Sequence, residues 1–142
     1  MRIADVLRRK GNEVATIPPE ESVAVLLDRL AEYGVGALVV SSDGSTVEGI
    51  VSERDVVRHL QRAGAAVLDA AVQEIMSTPV RTCAPAAAVD DLMRVMTEHR
   101  IRHVPVVVDG ALAGIVSIGD VVKHRIDELQ IERDQLTAYI TG

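Results

Sequence analysis

An internal repeat constrains the fold of this chain more than any other feature of its sequence. Gly49-Ile50-Val51-Ser52 aligns with Gly114-Ile115-Val116-Ser117 at a shift of 65 residues, and Asp55 then falls on Asp120. Before an Asp-Gly turn the shift is 66, so one residue is lost in that turn, where a hairpin loop tolerates the loss. The pairs matched before the turn include Pro19 and Pro85, Val23 and Val89, and Leu26 and Leu92. Because copies of about 50 residues are too short for comfortable cores of their own, we expect them to pack as one pseudo-symmetric unit.

Each copy predicts the same order of elements, β-α-β-β-α. A short strand and an amphipathic helix precede two strands that are joined at Asp-Gly, and a second helix follows. The predicted elements cover residues 14–16, 22–33, 36–41, 46–51 and 53–63 in the first copy, and 80–82, 88–99, 103–108, 111–116 and 118–140 in the second. The residues that fit helix N-caps are Ser22 and Ser52, and those that fit helix stops are Gly34 and Gly64. The sequence therefore predicts an α+β fold of two repeats, residues 1–66 and 67–142.

Three further segments flank the repeated elements. Amphipathic leaders, Ile3–Leu7 and Val72–Met76, precede the two copies, and a connector rich in Ala and Gly covers residues 61–71. The last helix continues through residues 127–134 with apolar residues near every third or fourth position. We expect this long C-terminal helix to pack against a partner subunit, which gives a homodimer.

Composition and charge exclude several classes of protein. No apolar run approaches the roughly 20 residues of a membrane span, and the first residues lack a signal peptide, so we expect a cytoplasmic protein that contacts no membrane. Cys83 is the only cysteine, so neither an intrachain disulfide nor a cysteine-based metal site is expected. The net charge of -6 disfavours nucleic acid as a partner. Because no nucleophile motif, carboxylate cluster or phosphate loop of the Gly-x-x-x-x-Gly-Lys type is recognisable, we expect no catalytic residues and no enzyme.

The two copies resemble the tandem CBS domain pair, named after cystathionine β-synthase, and in particular its stand-alone bacterial members. The motifs that carry the resemblance are Gly49-Ile50-Val51-Ser52-Glu53-Arg54-Asp55, Gly114-Ile115-Val116-Ser117-Ile118-Gly119-Asp120, Arg102-His103-Val104-Pro105-Val106, and Thr16 with Pro19 and Thr82 with Pro85. The resemblance implies a non-catalytic sensor that binds an adenine nucleotide between its repeats. AMP is the ligand expected first, with NAD(H), ADP, ATP and S-adenosylmethionine as alternatives.

The resemblance also assigns roles to the repeated Ser-x-x-Asp motif. It implies that Asp55 and Asp120 hold ribose hydroxyls, and that Ser52 and Ser117 face ribose or phosphate. A carboxylate accepts two hydrogen bonds, so it suits a vicinal diol but not a ribose with a 2′-phosphate, and NADP should bind poorly. The motif lies where a strand becomes a helix, and the free N–H groups of a helix N-terminus favour phosphate.

Other residues complete the predicted site. Arg54, Arg102 and His103 would supply positive charge, and backbone groups near Thr16 and Thr82 would meet the adenine edge. The full predicted ligand-binding set is Thr16, Ala37, Ser52, Arg54, Asp55, Thr82, Arg102, His103, Pro105, Ser117, Gly119 and Asp120. Because the first copy has Gly36-Ala37 where the second has Arg102-His103, the second site should bind a mononucleotide phosphate more strongly, and the first could take a dinucleotide such as NADH.

Two alternatives stay open at this point. Ser-x-x-Asp at a helix start is also a capping arrangement, and Arg102 at a strand edge could be a solvated charge. The whole pair could also be a structural module that dimerises or docks onto a protein without a physiological nucleotide. Since no effector domain is recognisable, the resemblance implies an output through an effector protein that the sequence does not identify.

Overall fold

This α+β fold contains two small sheets, one in each repeat, and helices pack against them. The computed structural model describes residues 1–11 and 13–141. The helices are α1 (Ile3–Lys10), α2 (Val23–Tyr33), α3 (Glu53–Ala63), α4 (Val72–Ile75), α5 (Val89–His99) and α6 (Ile118–Thr141), and the strands are β1 (Thr16–Ile17), β2 (Ala37–Val40), β3 (Gly49–Ser52), β4 (His103–Val108) and β5 (Ala111–Ser117). A 3-10 helix, Gly64–Asp69, lies in the predicted connector between the repeats.

The two sheets differ in their first strand. In the first repeat β1 pairs in parallel with β2, which pairs antiparallel with β3, whereas the second sheet contains only the antiparallel pair of β4 and β5. The strand predicted at residues 80–82 is wrong, because Arg81 and Thr82 are exposed and pairing is confined to one bridge from Cys83 to Val106. That bridge is the repeat equivalent of the pairing between Ile17 and Val40, so the register is kept although the strand is not.

The core of each repeat is completed by a leader helix from elsewhere in the chain. Helix α4, which follows the first repeat, buries Val72 and Ile75 among the residues of the first core. Helix α1, at the start of the chain, buries Ile3, Val6 and Leu7 in the second core. Each leader therefore packs against the copy that it does not precede, and the first residues of the chain hold the second repeat.

The glycine that begins each Gly-Ile-Val-Ser motif is in close contact with a side chain from a leader segment. A Cβ built on Gly114 would lie 2.7 Å from Leu7 Cδ2, and a Cβ built on Gly49 would overlap Met76 Sδ. Leu7 and Met76 occupy matching positions in α1 and just after α4. The glycine of each Gly-Ile-Val-Ser motif is thus required for close approach of a leader side chain to the sheet.

The leaders differ in length, and as a result the two repeats differ in what contacts the edge of the sheet. After the four residues of α4, Ser77 pairs with Ile50 at the edge of β3, with N–O distances of 2.8 and 3.1 Å. Helix α1 has eight residues, and at the equivalent carbonyl of Ile115 it supplies Lys10 Nζ instead, at 2.9 Å. The edge of β5 is therefore contacted by the Lys10 side chain, whereas the equivalent edge of β3 is contacted by the backbone of Ser77.

Helix α6 extends well beyond the second core. Its first turns bury Val121 and His124, but every residue from Leu129 to Thr141 is exposed. The C-terminal helix predicted to residue 140 is confirmed. Within residues 1–11 and 13–141, no helix combines the length and the apolar character that a membrane span needs.

Candidate functional site

A cleft of about 560 Å³ lies between the two repeats. This volume falls in the range of about 300–1,000 Å³ that is usual for small-molecule sites. The first repeat contributes the start of β2 and the junction of β3 with α3, and the second contributes the loop from α5 into β4. The residues that line this inter-repeat cleft are Gly36, Ala37, Ile50, Ser52, Glu53, Arg54, Asp55, Val57, Arg58, Ser77, Arg100, Ile101, Arg102 and His103.

The Ser-x-x-Asp motif of the first repeat forms a cap at the start of α3 that leaves one carboxylate oxygen open. Ser52 N and Ser52 Oγ both donate to Asp55 Oδ2, at 2.8 and 3.1 Å. Within the described part of the chain, Asp55 Oδ1 accepts no hydrogen bond and Asp55 forms no ion pair. Capping and ligand binding are therefore compatible at this residue, since the cap fixes the carboxylate and Oδ1 stays available.

The second motif is capped in the same way but its carboxylate is already paired. Ser117 N donates to Asp120 Oδ2 at 2.9 Å, and Lys10 Nζ donates to the same oxygen at 2.7 Å. Burial raises the pKa of Asp120, but the hydrogen bonds from Lys10 and from the Ser117 N–H outweigh it and hold the pKa below its usual value. The space left beside this pair is about 210 Å³, which is small for a nucleotide.

Four arginine side chains give the inter-repeat cleft a surplus of positive charge. Arg54 and Arg58 come from α3, and Arg100 and Arg102 come from the loop before β4. Among residues 1–11 and 13–141, none of the four forms an ion pair or donates a side-chain hydrogen bond, whereas Arg8, Arg9, Arg94, Arg125 and Arg133 all form ion pairs. In a chain with a net charge of -6, such a concentration of unpaired guanidinium groups favours an anionic ligand.

His103 lies at the first position of β4, where the two repeats approach each other. Its ring stands 3.5 Å from a Cβ built on Gly36, which is ordinary van der Waals contact and places His103 directly beside the first repeat. Burial lowers the pKa of His103, and the positive charge of Lys10 lowers it further, against the opposing carboxylates of Asp120 and Glu53. A lowered pKa favours the neutral imidazole, which offers one donor and one acceptor.

The basic pair Arg102-His103 lies in the cleft of a different motif from the one assigned to it by the sequence. We expected it to strengthen the site of Asp120, but both residues line the cleft of Asp55. The reason is that β4 begins beside Gly36, so the loop of the second repeat reaches the motif of the first. The expectation that the second site binds a mononucleotide phosphate more strongly stays a prediction, since Arg9, Lys10 and Lys123 line the space beside Asp120.

The other predicted site residues divide into three groups. Ala37, Ser52, Arg54 and Asp55 line the inter-repeat cleft together with Arg102 and His103, and Ser117 and Asp120 form the second motif. Four lie outside the cleft: Thr16, whose carbonyl accepts from Arg29 Nη1 at 3.1 Å, Thr82, which is exposed, Pro105, which is buried in β4, and Gly119, which is on the exposed side of α6. Their roles toward a ligand stay predictions.

Sequence reasoning missed Arg58 and Arg100 as lining residues of the cleft. Both carry a signal in the repeat alignment. Arg58 matches Lys123, so a basic residue is kept at this helix position in both copies. Arg100 matches Gly34, so the second copy has an arginine where the first has its helix-stop glycine. Within the described residues, no three His, Cys, Asp or Glu side chains are grouped so as to hold a metal ion.

Comparison with known proteins agrees with this architecture. The CBS domain family matches residues 3–62 and 72–127. A relative from Arabidopsis thaliana, the CBS domain-containing protein CBSX3, mitochondrial, is 34% identical over 148 residues, which cover 99% of this chain and 72% of that protein. A solved structure of a CBS-domain containing protein from Agrobacterium tumefaciens is 44% identical, with a TM-score of 0.85 over 88% of this chain and 99% of that one. A CBS domain protein from Pyrobaculum aerophilum, solved in complex with AMP, is 30% identical, with a TM-score of 0.74 over 84% of this chain and 89% of that one. The chain therefore belongs to the CBS domain family, of which it contains two domains in tandem.

Proposed function

We propose that this protein is a non-catalytic sensor module that binds an adenine nucleotide in the inter-repeat cleft. The observation that carries the proposal is the combination of the open Asp55 Oδ1 with four unpaired arginine side chains in one cleft. An acceptor for the ribose diol and donors for the phosphate groups are the two polar requirements of a nucleotide. The AMP complex of the Pyrobaculum aerophilum relative supports this class of ligand.

In the proposed complex each part of the cleft has a separate task. Asp55 accepts from the ribose hydroxyls, while the N-terminus of α3 and the guanidinium groups bind phosphate. Ala37 and Ile50 supply apolar surface for the base. A 2′-phosphate would meet the Asp55 carboxylate, so the cleft should bind NADPH more weakly than NADH.

The motif of Asp120 is proposed to bind a second ligand less readily. A ribose there must compete with Lys10 Nζ, which holds Asp120 Oδ2 at 2.7 Å in a pocket of about 210 Å³. Occupancy of this motif needs movement of Lys10, whereas the inter-repeat cleft needs no such displacement. We therefore expect the Asp55 cleft to be filled first.

The signal is proposed to leave the molecule through a homodimer and an effector protein. Exposed apolar side chains lie on α3 and α6, the two helices that follow the Ser-x-x-Asp motifs. They include Val57 and Leu60 on α3, and Val122, Ile126 and Leu129 on α6. Because α3 and α6 start at the ligand-binding motifs, a ligand-induced shift of either helix start would reach this surface.

Calorimetric titration of nucleotide-free protein with AMP, ATP, NADH, NADPH and S-adenosylmethionine tests the proposal. We expect saturable binding without turnover, and Asp55→Ala should weaken it at least 10-fold because the diol loses its acceptor. The matched control is Asp28→Ala, which removes an exposed carboxylate from α2. Product analysis after prolonged incubation with ATP tests whether the module is catalytic.

A second candidate function is a purely structural dimerisation module. It is favoured by the exposed apolar side chains of α6, which suit a partner helix with or without a nucleotide. If all five ligands fail to bind the nucleotide-free protein, this second function becomes the better account. If binding is found but is unchanged in Asp55→Ala, the ligand occupies another site and the cleft assignment is wrong.

A further inference from the structure

Arg100 occupies a backbone conformation that ordinarily belongs to glycine. It ends helix α5 with φ 54° and ψ 42°, in the left-handed region. Its repeat equivalent Gly34 ends α2 with nearly the same angles, φ 64° and ψ 38°. Side chains other than glycine are disfavoured there because the Cβ crowds the backbone, so the second repeat carries strain that the first avoids.

No side-chain hydrogen bond or ion pair among the described residues accounts for an arginine at this position. The helix-ending hydrogen bond, from the Arg100 N–H to Met96 O, uses only the backbone and would be made by glycine. The guanidinium group makes no ion pair or hydrogen bond within the described residues, and the side chain is exposed. Arg100 is, however, one of the residues that line the inter-repeat cleft.

The other left-handed residue that is not glycine has an ordinary explanation. Asp109, with φ 51°, precedes Gly110 in the hairpin between β4 and β5. Asp-Gly is the favoured pair for a two-residue hairpin turn, and aspartate tolerates this conformation better than most residues. The strain at Arg100 is therefore not a general property of tight turns in this chain.

The arrangement of the four arginines exceeds what one phosphate can use. Arg54 and Arg58 are one helical turn apart on α3, about 6 Å along the axis, and Arg100 and Arg102 face the cleft from the other repeat. Each guanidinium group binds best through two parallel hydrogen bonds to two oxygens. The three oxygens of a terminal phosphate offer three such pairs, so a ligand with further phosphate groups would use four guanidinium groups more fully.

We propose that Arg100 is a phosphate-recognising residue of the cleft, and that the four arginines select ligands with two or more phosphate groups over AMP. The inference rests on the proposed function and narrows its ligand to nucleoside diphosphates, nucleoside triphosphates and dinucleotides. Arg100 keeps its strained conformation because a glycine in its place would remove a phosphate contact from the cleft.

Replacement of Arg100 by glycine tests the inference because it moves stability and binding in opposite directions. Arg100→Gly should raise the melting temperature, since the strain is relieved and the cap is kept. It should also weaken ATP and ADP binding at least 10-fold while AMP binding changes less than 3-fold. Arg100→Asn, which also suits the left-handed region, should show the same loss of ATP binding.

The matched control is Asp109→Gly, which relieves a left-handed residue outside the cleft. It should leave the affinities for ATP, ADP and AMP unchanged. If wild type binds AMP as tightly as ATP, or if Arg100→Gly keeps the ATP affinity of wild type, the inference is overturned while the proposed function stands. Absence of any nucleotide binding by wild type would overturn the proposed function, and this inference with it.

Discussion

At the scale of single residues, the ion pair between Lys10 and Asp120 distinguishes two otherwise equivalent motifs. Both side chains are partly buried, with exposed fractions of 31% for Lys10 and 24% for Asp120. The pair is therefore better shielded from water than the pair between Arg94 and Asp91, whose side chains are each 70% exposed. A screened surface pair contributes about 0–1 kcal/mol, and we place the Lys10 pair near the upper end of that range.

This ion pair predicts a specific acid dependence of stability. The pKa of Asp120 is lower in the folded protein than in the unfolded chain, so the stabilisation is fully present above about pH 4 and is lost as the pH falls through the folded value. Asp120→Asn should reduce the free energy of unfolding by about 1 kcal/mol at pH 7 and less at pH 3. Denaturant unfolding at a series of pH values measures the difference, with Asp28→Asn as control. An equal loss at both pH values would show that the pair does not produce the shift.

At the scale of elements, helix α1 joins the first residues of the chain to the second repeat. Helix α1 is short, but Ile3, Val6 and Leu7 all lie in the second core. Backbone hydrogen bonds fix it there, from Ile3 N to Ala87 O at 2.9 Å and from Val89 N to Met1 O at 3.1 Å. The second repeat therefore depends on residues more than 80 positions away in sequence.

Leu7→Ala tests this dependence. Removal of a buried leucine side chain typically costs about 2–5 kcal/mol, and here the loss should fall on the second repeat. Hydrogen exchange followed by mass spectrometry should show faster exchange in β4 and β5 than in β2 and β3, relative to wild type. Met76→Ala is the matched variant for the first repeat and should reverse the pattern. Equal acceleration in both sheets would mean that the two cores unfold as one unit and that the leader has no local effect.

The sequence predicted the elements better than their partners. The apolar runs at Ala37–Val40 and His103–Val108 marked strands, and Ser22 and Gly34 marked the ends of α2. The amphipathic pattern of the leaders showed that one face is buried, but a hydrophobic face does not specify which sheet covers it. The amphipathic pattern therefore could not predict that each leader packs against the other repeat. The boundary between the repeats at residues 66 and 67 stays a prediction.

The candidate site was predictable where it depends on local motifs and not where it depends on contacts between repeats. Ser52 and Asp55 adopt the predicted junction of strand and helix. The grouping of Arg102 with Asp55, and of Lys10 with Asp120, joins residues that are far apart in sequence. Such groupings follow from how the second repeat and α1 pack, which no local spacing records.

At the scale of the whole molecule, the exposed part of α6 presents apolar side chains that suit a partner helix. Thirteen residues from Leu129 to Thr141 form a helix with no buried side chain, and isolated helices of about this length are marginal in water. Positions spaced alternately by four and three residues form one row along α6. The exposed apolar residues in this row are Val122, Ile126, Leu129, Leu136 and Ile140, and its one polar residue is Arg133. This spacing is that of a coiled-coil seam, so we expect α6 to pair with α6 of a second copy.

Ile126→Asp tests the homodimer through this seam. A carboxylate buried within the interface should shift the protein from dimer to monomer, measured by sedimentation at micromolar concentration. The control is Ile131→Asp, because Ile131 is about as exposed as Ile126, at 51% and 49%, but lies outside the row. The fold of each repeat should be unchanged in both variants, since neither side chain belongs to a core.

If Ile131→Asp dissociates the dimer and Ile126→Asp does not, the subunits meet through another face of α6. If wild type is already monomeric at this concentration, the exposed helix serves the effector protein instead of a second copy.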